Sequence, residues 1–361
     1  MRGWHVTALA RASRDFLIGG ILLYGYVYTA YKYGNPYFGR NDFFRYQQII
    51  LHPFDLSAVP APFVLRQIPA IVASAFYRFG FHFDTAAVID SIGFNDGEKR
   101  RFLAMILSNG LAVCLSFTVL AGYLRKKLAT DNIINSLALF GIFAGWFYFP
   151  SAVIAPVTIG WGWLVSALFA VAFIERSTAI AVLACALALF ARETALIFAL
   201  TMFAALLLVE GDRSRCVVAP ILVLATSCLL YLALRIGFTS GYAHQIDPAH
   251  IAAQLRSLNF PAHFFIQLII AQGMPVLLLV FIATKQPRYA AYLLISAVAV
   301  AVTALATDVT DVGLLLGESL PFYATIFVLA WNGAFAVRAK ESSSAADGGE
   351  FASGSSSKFA D

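Results

Sequence analysis

Three side chains that could take part in catalysis or ligand binding lie close together near the N-terminus, in the segment FGRNDFFRYQQII at residues 38–50. They are Asp42, Arg45 and Tyr46, which share one face if the segment forms a short helix capped by Asn41. A carboxylate can accept a proton from a reacting group, and an arginine fork can hold anionic oxygens. These residue types could serve proton transfer or anion binding.

A second set of polar residues follows in the segment PAPFVLRQIPAIVASAFYRFG, residues 60–80. Its apolar pattern predicts a helix lying at a membrane interface, with Arg66 and Gln67 near the start. Phe43, Phe44, Ile49 and Ile50 of the preceding segment are expected to rest on the same interface. Both segments belong to a long loop, residues 34–101, which is rich in Lys and Arg and favours an anionic ligand nearby.

A third polar element interrupts an apolar stretch in the segment LFARETALIFAL, residues 189–200. Arg192 and Glu193 separate two runs that could each be a helix, or that could form one long broken helix. Charges between two membrane-embedded runs are costly and usually functional. The pair could instead form a structural ion pair that satisfies the broken backbone.

The elements that must position these residues are membrane helices. Hydrophobic residues make up 60% of the chain and charged residues 12%, whereas soluble domains have roughly 45–50% and about 25%. The fold class predicted is therefore an all-α polytopic membrane protein with about ten transmembrane helices. The predicted spans are Phe16–Tyr33, Phe102–Leu124, Ile133–Phe149, Thr158–Ile174, Thr178–Phe190, Thr194–Val209, Val217–Ile236, His263–Thr284, Ala290–Ala306 and Leu320–Val337.

Orientation follows from Lys and Arg in the short connections. With a cytoplasmic N-terminus, ten alternating spans place basic residues in every inner connection. They are Arg2, Arg11, Arg14, Arg125, Lys126, Lys127, Arg176, Arg213, Arg215, Lys285, Arg288, Arg338 and Lys340. Both termini are therefore predicted to be cytoplasmic, with residues 34–101 and the Arg192–Glu193 break on the outer side.

The predicted domain organisation is simple. Residues 1–340 form a single transmembrane domain, in which 34–101 is the first outer loop with its interfacial helices. Residues 341–361 are Ser-, Gly- and Ala-rich, and they are predicted to be a disordered cytoplasmic tail or a remnant of cloning.

The order and spacing of these motifs resemble the C-type glycosyltransferase superfamily (GT-C), in particular the protein O-mannosyltransferases and lipid A aminoarabinose transferases. Those proteins carry Asp-Glu-x-Arg-Tyr after the first span. Here DFFRY supplies Asp42, Arg45 and Tyr46, with Phe43 in place of the second acid. PFVLRQIP, with Arg66, and the Arg-Glu-Thr element at Arg192 are similar to further elements of such enzymes.

The resemblance implies an enzyme of the bacterial inner (plasma) membrane, a hexosyl- or pentosyltransferase in glycan biosynthesis of the cell envelope. It would transfer a sugar from a polyprenyl-phosphate donor to a glycan, lipid or protein acceptor at the outer face. Asp42 would be the catalytic base. The implied substrate-binding residues are Arg45, Tyr46, Arg66, Gln67, Arg192, Glu193 and His263. The resemblance requires no cofactor, assigns no metal ligand and leaves a divalent metal open, and nothing in the composition indicates nucleic-acid binding.

Two other function classes remain open. A transporter or a flippase for lipid-linked glycans would also be polytopic, although such proteins usually bury ionisable groups near the membrane midplane. A glycan polymerase or ligase of another fold is the second alternative.

Each candidate residue also has a purely structural interpretation. Asp42 could cap its helix or pair with Arg45, Arg66 could extend to lipid headgroups, and His263 could hydrogen-bond between helices. Asp308, Asp311 and Glu318 are predicted to lie in a solvated outer loop, with cation binding by the two aspartates as the alternative. Trp161 and Trp163, near a span end, are predicted to be interface anchors.

Overall fold

The computed structural model describes residues 2–33, 40–55, 57, 59, 63–80, 94–129, 133–145, 158–237, 260–307 and 317–334. These residues form helices and short connections, with no strand anywhere among them. The helices are α1 Arg2–Tyr33, α2 Arg40–Leu51, α3 Gln67–Arg78, α4 Asp96–Leu128, α5 Ile133–Ala144, α6 Ile159–Glu175, α7 Thr178–Ala191, α8 Thr194–Val209, α9 Arg215–Gly237, α10 Phe260–Lys285, α11 Pro287–Thr307 and α12 Leu320–Trp331. A 3₁₀ turn, Phe63–Leu65, precedes α3.

The helices follow the apolar runs of the sequence. Each of the ten predicted spans coincides with one helix, namely α1 and α4 to α12, and α2 and α3 fall in the predicted outer loop. Helix α2 begins at Arg40, so Asn41 lies inside its first turn instead of capping it. The helix therefore begins two residues earlier than a cap at Asn41 implies, which is within the usual uncertainty of a helix end. Residues 341–361 lie outside the described part of the chain.

Helix α4 is the longest, and its ends carry clear signals. Asn95 and Glu98 form a capping box, in which each side chain accepts a hydrogen bond of 2.9 Å from the backbone N–H of the other. Arg125, Lys126 and Lys127 lie in the last turn, where positive charges interact favourably with the helix dipole. These end signals fix α4, against which the candidate site is built.

Helices α7 and α8 form an antiparallel hairpin. The helix ends at Ala191, Arg192 is extended, and a new helix begins at Thr194. Arg176, just before α7, lies 3.6 Å from the carboxylate of Glu210, just after α8. Since the start of α7 meets the end of α8, the chain reverses at Arg192 and Glu193. The stretch is therefore two helices, and the alternative of one long broken helix is excluded.

Helices α4 and α6 form the centre of the bundle and approach closely. A Cβ atom at Gly160 would lie 2.6 Å from the backbone oxygen of Asn109, so glycine allows the approach. Ser116 donates to the backbone oxygen of Trp163, and Trp161 donates to Ser108. Trp161 and Trp163 are both buried, so the prediction that they anchor the chain at a membrane interface was wrong.

Helices α2 and α3 pack onto the N-terminal half of α4. Phe43, Ile49 and Ile50 of α2 are buried, against the expectation that they would contact the membrane interface. Phe43 lies edge-on to Phe102 of α4, with ring centroids 5.3 Å apart. Helices α2 and α3 are therefore part of the bundle itself and bring their polar residues against it.

The described helices are compatible with a membrane protein. Two of them, α4 and α9, are long and apolar enough to cross a bilayer, judged by length and composition. The most apolar stretch of α9 is only 22% buried. Large side chains such as Leu222, Leu229 and Ile236 are largely exposed on it. An apolar face of this size is unusual on a soluble monomer.

Ion pairs lie at both ends of the bundle. At the end assigned to the inner side by its basic residues, Asp15 pairs with Arg125, Lys127 with Glu175 at 2.7 Å, and Arg176 with Asp212. The other end holds the Arg192–Glu193 reversal. The polar candidates of the outer loop meet the bundle at this second end.

Candidate functional site

Four buried charges meet at the α7–α8 reversal. We call Arg66, Arg192, Glu193 and Glu318 the four-charge cluster. The chain supplies them from three places: the residue before α3, the α7–α8 connection and the segment before α12. Two carboxylates and two guanidiniums make the cluster neutral overall, which offsets part of the cost of burying charge.

Arg66 and Glu193 form a pair with two hydrogen bonds. Arg66 donates through Nη2 to Oε1 of Glu193 at 2.6 Å and through Nε to Oε2 at 3.2 Å. Its remaining amino group, Nη1, donates to the hydroxyl of Tyr46 at 3.1 Å. The fork of Arg66 therefore links α2 to the α7–α8 reversal, and it is almost completely buried while doing so.

Arg192 points to a different carboxylate. It donates through Nε to Oε1 of Glu318 at 2.7 Å, and its Nη2 lies 2.6 Å from the same oxygen in an ion pair. Thr194 donates its hydroxyl to Oε2 of the same side chain. Arg192 and Glu193 thus pair with partners far away in the sequence, and a local ion pair between these two neighbours does not explain them.

The charge of Glu193 is stabilised by its surroundings. Burial opposes ionisation, but the charge and hydrogen bonds of Arg66, with a smaller contribution from Arg192, outweigh it and lower the pKa of Glu193 to about 2. Burial likewise opposes the charge on Arg66, and the attraction of Glu193 outweighs it, so the pKa of Arg66 is raised. The pair is fully ionised at neutral pH.

An aromatic side chain, Phe63, lies between Arg45 and Arg66. The guanidinium carbon of Arg45 lies 4.5 Å from the centre of the Phe63 ring, and that of Arg66 lies 5.8 Å from it. Tyr46 packs edge-on against the same ring at 5.5 Å between centroids. Arg45, Tyr46 and Arg66 are therefore neighbours, as expected for residues that share a site.

Gln67 has a local role in the structure. Its amide nitrogen donates to the backbone oxygen of Val64 at 2.7 Å, and its oxygen accepts from the backbone of Phe54 at 3.4 Å. Both contacts hold the turn that leads into α3. They position the neighbouring Arg66, and they leave the predicted substrate contact of Gln67 a prediction.

Two predicted site residues lie where only the backbone is described. Asp42 is in the first turn of α2, one helical turn before Tyr46, and His263 is in the first turn of α10. Their side chains lie outside the described part of the structure. The roles assigned to them remain predictions.

Sequence reasoning missed Glu318. The side chain is 1% exposed and accepts from Arg192 and Thr194, so the prediction of a solvated loop was wrong for this residue. Asp308 and Asp311 lie outside the described residues. A Cβ atom at Gly162 would lie 2.9 Å from Oε2 of Glu318, and Trp163 donates to the backbone oxygen of Gly317 at 3.1 Å. These are contacts between distant segments, and no local pattern in the sequence signals them.

The described residues hold no group of three His, Cys, Asp or Glu side chains that could bind a metal ion. The site described so far is instead a pair of arginine–carboxylate contacts beside an aromatic ring. No protein-family model matches this chain, and no curated protein or solved structure matches it either. Its function must therefore be argued from the site.

Proposed function

We propose that this protein is a membrane glycosyltransferase that transfers a sugar from a polyprenyl-phosphate donor to an acceptor at the outer face of a bacterial inner membrane. One observation carries the proposal. Arg66 and the Arg192–Glu193 reversal, picked out as separate motifs of one site, lie in a single buried cluster at one end of the bundle. A purely local role for each motif would not require them to meet.

The proposed chemistry needs one proton acceptor and an anion site. The acceptor oxygen or nitrogen attacks the anomeric carbon, and the bond from that carbon to the phosphate oxygen breaks. Polyprenyl phosphate leaves with the electron pair, and the proton of the acceptor passes to the Asp42 carboxylate. Arg192 binds the phosphate and stabilises its developing charge, because a guanidinium matches phosphate oxygens. Arg66, whose nitrogens already bond Glu193 and Tyr46, positions the α7–α8 reversal that carries Arg192.

The proposed membrane arrangement has ten spans, with both termini in the cytoplasm. It is supported by the exposed apolar face of α9 and by the ion pairs at the two ends of the bundle. The four-charge cluster then faces outward, next to α2 and α3. Its position at a helix end, away from the middle of the helices, favours an enzyme over a coupled transporter, whose ion sites usually lie near the midplane.

The direct test is an assay of sugar transfer by purified protein in lipid nanodiscs. Polyprenyl-phosphate hexose and pentose donors, labelled in the sugar, are mixed with envelope extract as the source of acceptor. We expect protein-dependent loss of label from the lipid fraction, with equimolar release of polyprenyl phosphate. A flippase would be supported instead if neither the hexose nor the pentose donors lost label and the protein moved the same lipids between the leaflets of liposomes.

A further inference from the structure

Glu318 is the most deeply buried member of the four-charge cluster. Its side chain is 1% exposed and accepts from Arg192 and Thr194. Glu193 accepts two hydrogen bonds from Arg66, has Tyr231 beside its carboxylate and is 12% exposed. The two carboxylates therefore differ in their exposure and in the side chains that bind them.

Residues from three segments fix the position of the Glu318 carboxylate. Gly162 on α6 leaves room for it, since a Cβ atom there would lie 2.9 Å from Oε2 and 3.0 Å from Cδ. Trp163, the next residue, fixes the backbone before Glu318 by donating to Gly317. Thr194, the first residue of α8, binds the second oxygen. Packing from α6, α8 and α12 thus sets the carboxylate before any ligand arrives.

The seated carboxylate sets the orientation of Arg192. Glu318 occupies the Nε and Nη2 side of the guanidinium, and Nη1 takes no part in this pair. A guanidinium has five N–H donors in a rigid plane, so fixing one edge fixes the direction of the others. The connection that carries Arg192 is short and polar, and it would not orient a flexible side chain by itself.

We propose that Glu318 is a positioning residue, which holds Arg192 by one edge so that its other edge faces the phosphate of the lipid donor. This inference rests on the proposed glycosyltransferase function. Glu318 does not touch the donor and acts through Arg192. Removing its charge should therefore weaken donor binding, and the effect should vanish once Arg192 no longer offers a fork.

The test is a double-mutant cycle on the KM for the lipid donor. Glu318→Gln should raise this KM roughly 10- to 100-fold, because a misplaced binding group loses that much. Arg192→Lys keeps the charge and removes the fork. In the Arg192→Lys background, Glu318→Gln should change KM by about twofold or less, since coupled residues are not additive. Glu318→Asp, which keeps the charge, should recover part of the affinity in the Arg192 background.

Glu210→Gln is the matched control. Glu210 pairs with Arg176 and accepts from Tyr292 at the opposite end of the bundle, so its loss tests a structural effect alone. We expect a lower melting temperature and the wild-type KM. If Glu318→Gln does not fold, Thr194→Val removes one donor to Glu318 without changing any charge, and it should raise KM severalfold. An unchanged KM in the folded Glu318 or Thr194 variants would overturn the proposal, as would an additive cycle.

The affinity for polyprenyl phosphate without a sugar separates this proposal from the function on which it rests. If the wild-type protein transfers no sugar from any donor, the glycosyltransferase proposal fails. The positioning role is then judged from the dissociation constants of the same variants for the unglycosylated lipid. Weaker binding by Glu318→Gln, abolished in the Arg192→Lys background, still supports it. Equal binding by all variants, or no binding by the wild type, overturns it.

Discussion

The guanidinium of Arg66 and the carboxylate of Glu193 face each other through two hydrogen bonds, with Nη2 2.6 Å from Oε1 and Nε 3.2 Å from Oε2. The pair joins the outer-loop helices to the α7–α8 reversal. Because both side chains are largely buried, water cannot take the place of either partner if that partner is removed, and the remaining charge would be left unpaired.

Breaking this pair should therefore destabilise the protein strongly. Arg66→Ala leaves Glu193 charged and buried, and we expect a loss of about 3–5 kcal/mol of stability. Arg66→Met combined with Glu193→Met should be more stable than either single variant, because no charge is left unpaired. Thermal unfolding in detergent measures the difference.

The control for that experiment is Lys127→Ala. Lys127 and Glu175 form a more exposed pair at the opposite end, and such pairs contribute about 0–1 kcal/mol. If Arg66→Ala and Lys127→Ala lower the melting temperature equally, the Arg66–Glu193 pair is not a buried contact of the kind described.

The same pair should make stability depend on pH in acid. The pKa of Glu193 is lowered from 4.5 to about 2, so the folded state favours the ionised carboxylate. Its contribution is fully present above about pH 4.5 and is lost as the pH falls through about 2. The melting temperature of Glu193→Gln should accordingly fall less than that of the wild type between these pH values. Parallel curves for the two proteins would contradict the assignment.

Gly162 should be intolerant of a side chain. Gly162→Ala places a Cβ atom 2.9 Å from Oε2 of Glu318 and 3.1 Å from Cγ of Arg192, so the carboxylate or its partner must move. We expect a lower melting temperature. The matched control is Gly122→Ala in α4, where nothing lies within 4 Å of the new Cβ atom. There the better helix propensity of Ala should stabilise the protein by about 0.5–1 kcal/mol. Equal effects at both positions would contradict the close approach at Gly162.

These contacts separate what a sequence pattern can predict from what it cannot. The break at Arg192 and Glu193 was predictable, because two charges between long apolar runs are too costly to lie inside a helix in lipid. The sequence left open whether the chain reverses there or continues as one broken helix. The partner of Arg192 was not, since Glu318 is distant in the sequence and only tertiary packing brings it near. Glu318 precedes an apolar run, as many solvated loop residues do.

The burial of the apolar face of α2 could not be predicted from the sequence either. An apolar face that contacts lipid and one that packs on another helix have similar composition, so Phe43 and Ile49 gave no signal of their partner. The meeting of Arg66 with the α7–α8 reversal was anticipated only through a family resemblance. Its structural basis, the pairing of Arg66 with Glu193, depends on the way α3 packs on α4 and α7.

The orientation of the chain is a further prediction. Every inner connection of the ten-span arrangement carries Lys or Arg, so both termini should be cytoplasmic. Reporter fusions at Gly93 and at Lys340 should read outside and inside, respectively. The two fusions reporting the same side would remove the fixed relation between the outer loop and the α7–α8 reversal, and the proposed site would lose its basis.

Asp42 provides the sharpest test of the proposed chemistry. It lies in the first turn of α2, where the interaction of a negative charge with the helix dipole stabilises the helix by about 0.3–1 kcal/mol. Asp42→Asn keeps the shape of the side chain and removes the proton acceptor. A helix-stabilising role and a catalytic role therefore predict different outcomes for this one substitution.

If Asp42 is the general base, Asp42→Asn should lower kcat for sugar transfer by roughly 10²–10⁴-fold, the usual contribution of general-base catalysis. The melting temperature and the KM for the lipid donor should stay near their wild-type values, because neither folding nor phosphate binding depends on the lost proton acceptor. Asp55→Asn is the matched control, since Asp55 is exposed and its carboxylate accepts hydrogen bonds from the nearby Ser57. Its kcat should be that of the wild type. Wild-type turnover in Asp42→Asn removes Asp42 from the mechanism, and a lower melting temperature with normal turnover assigns it to the structure of α2.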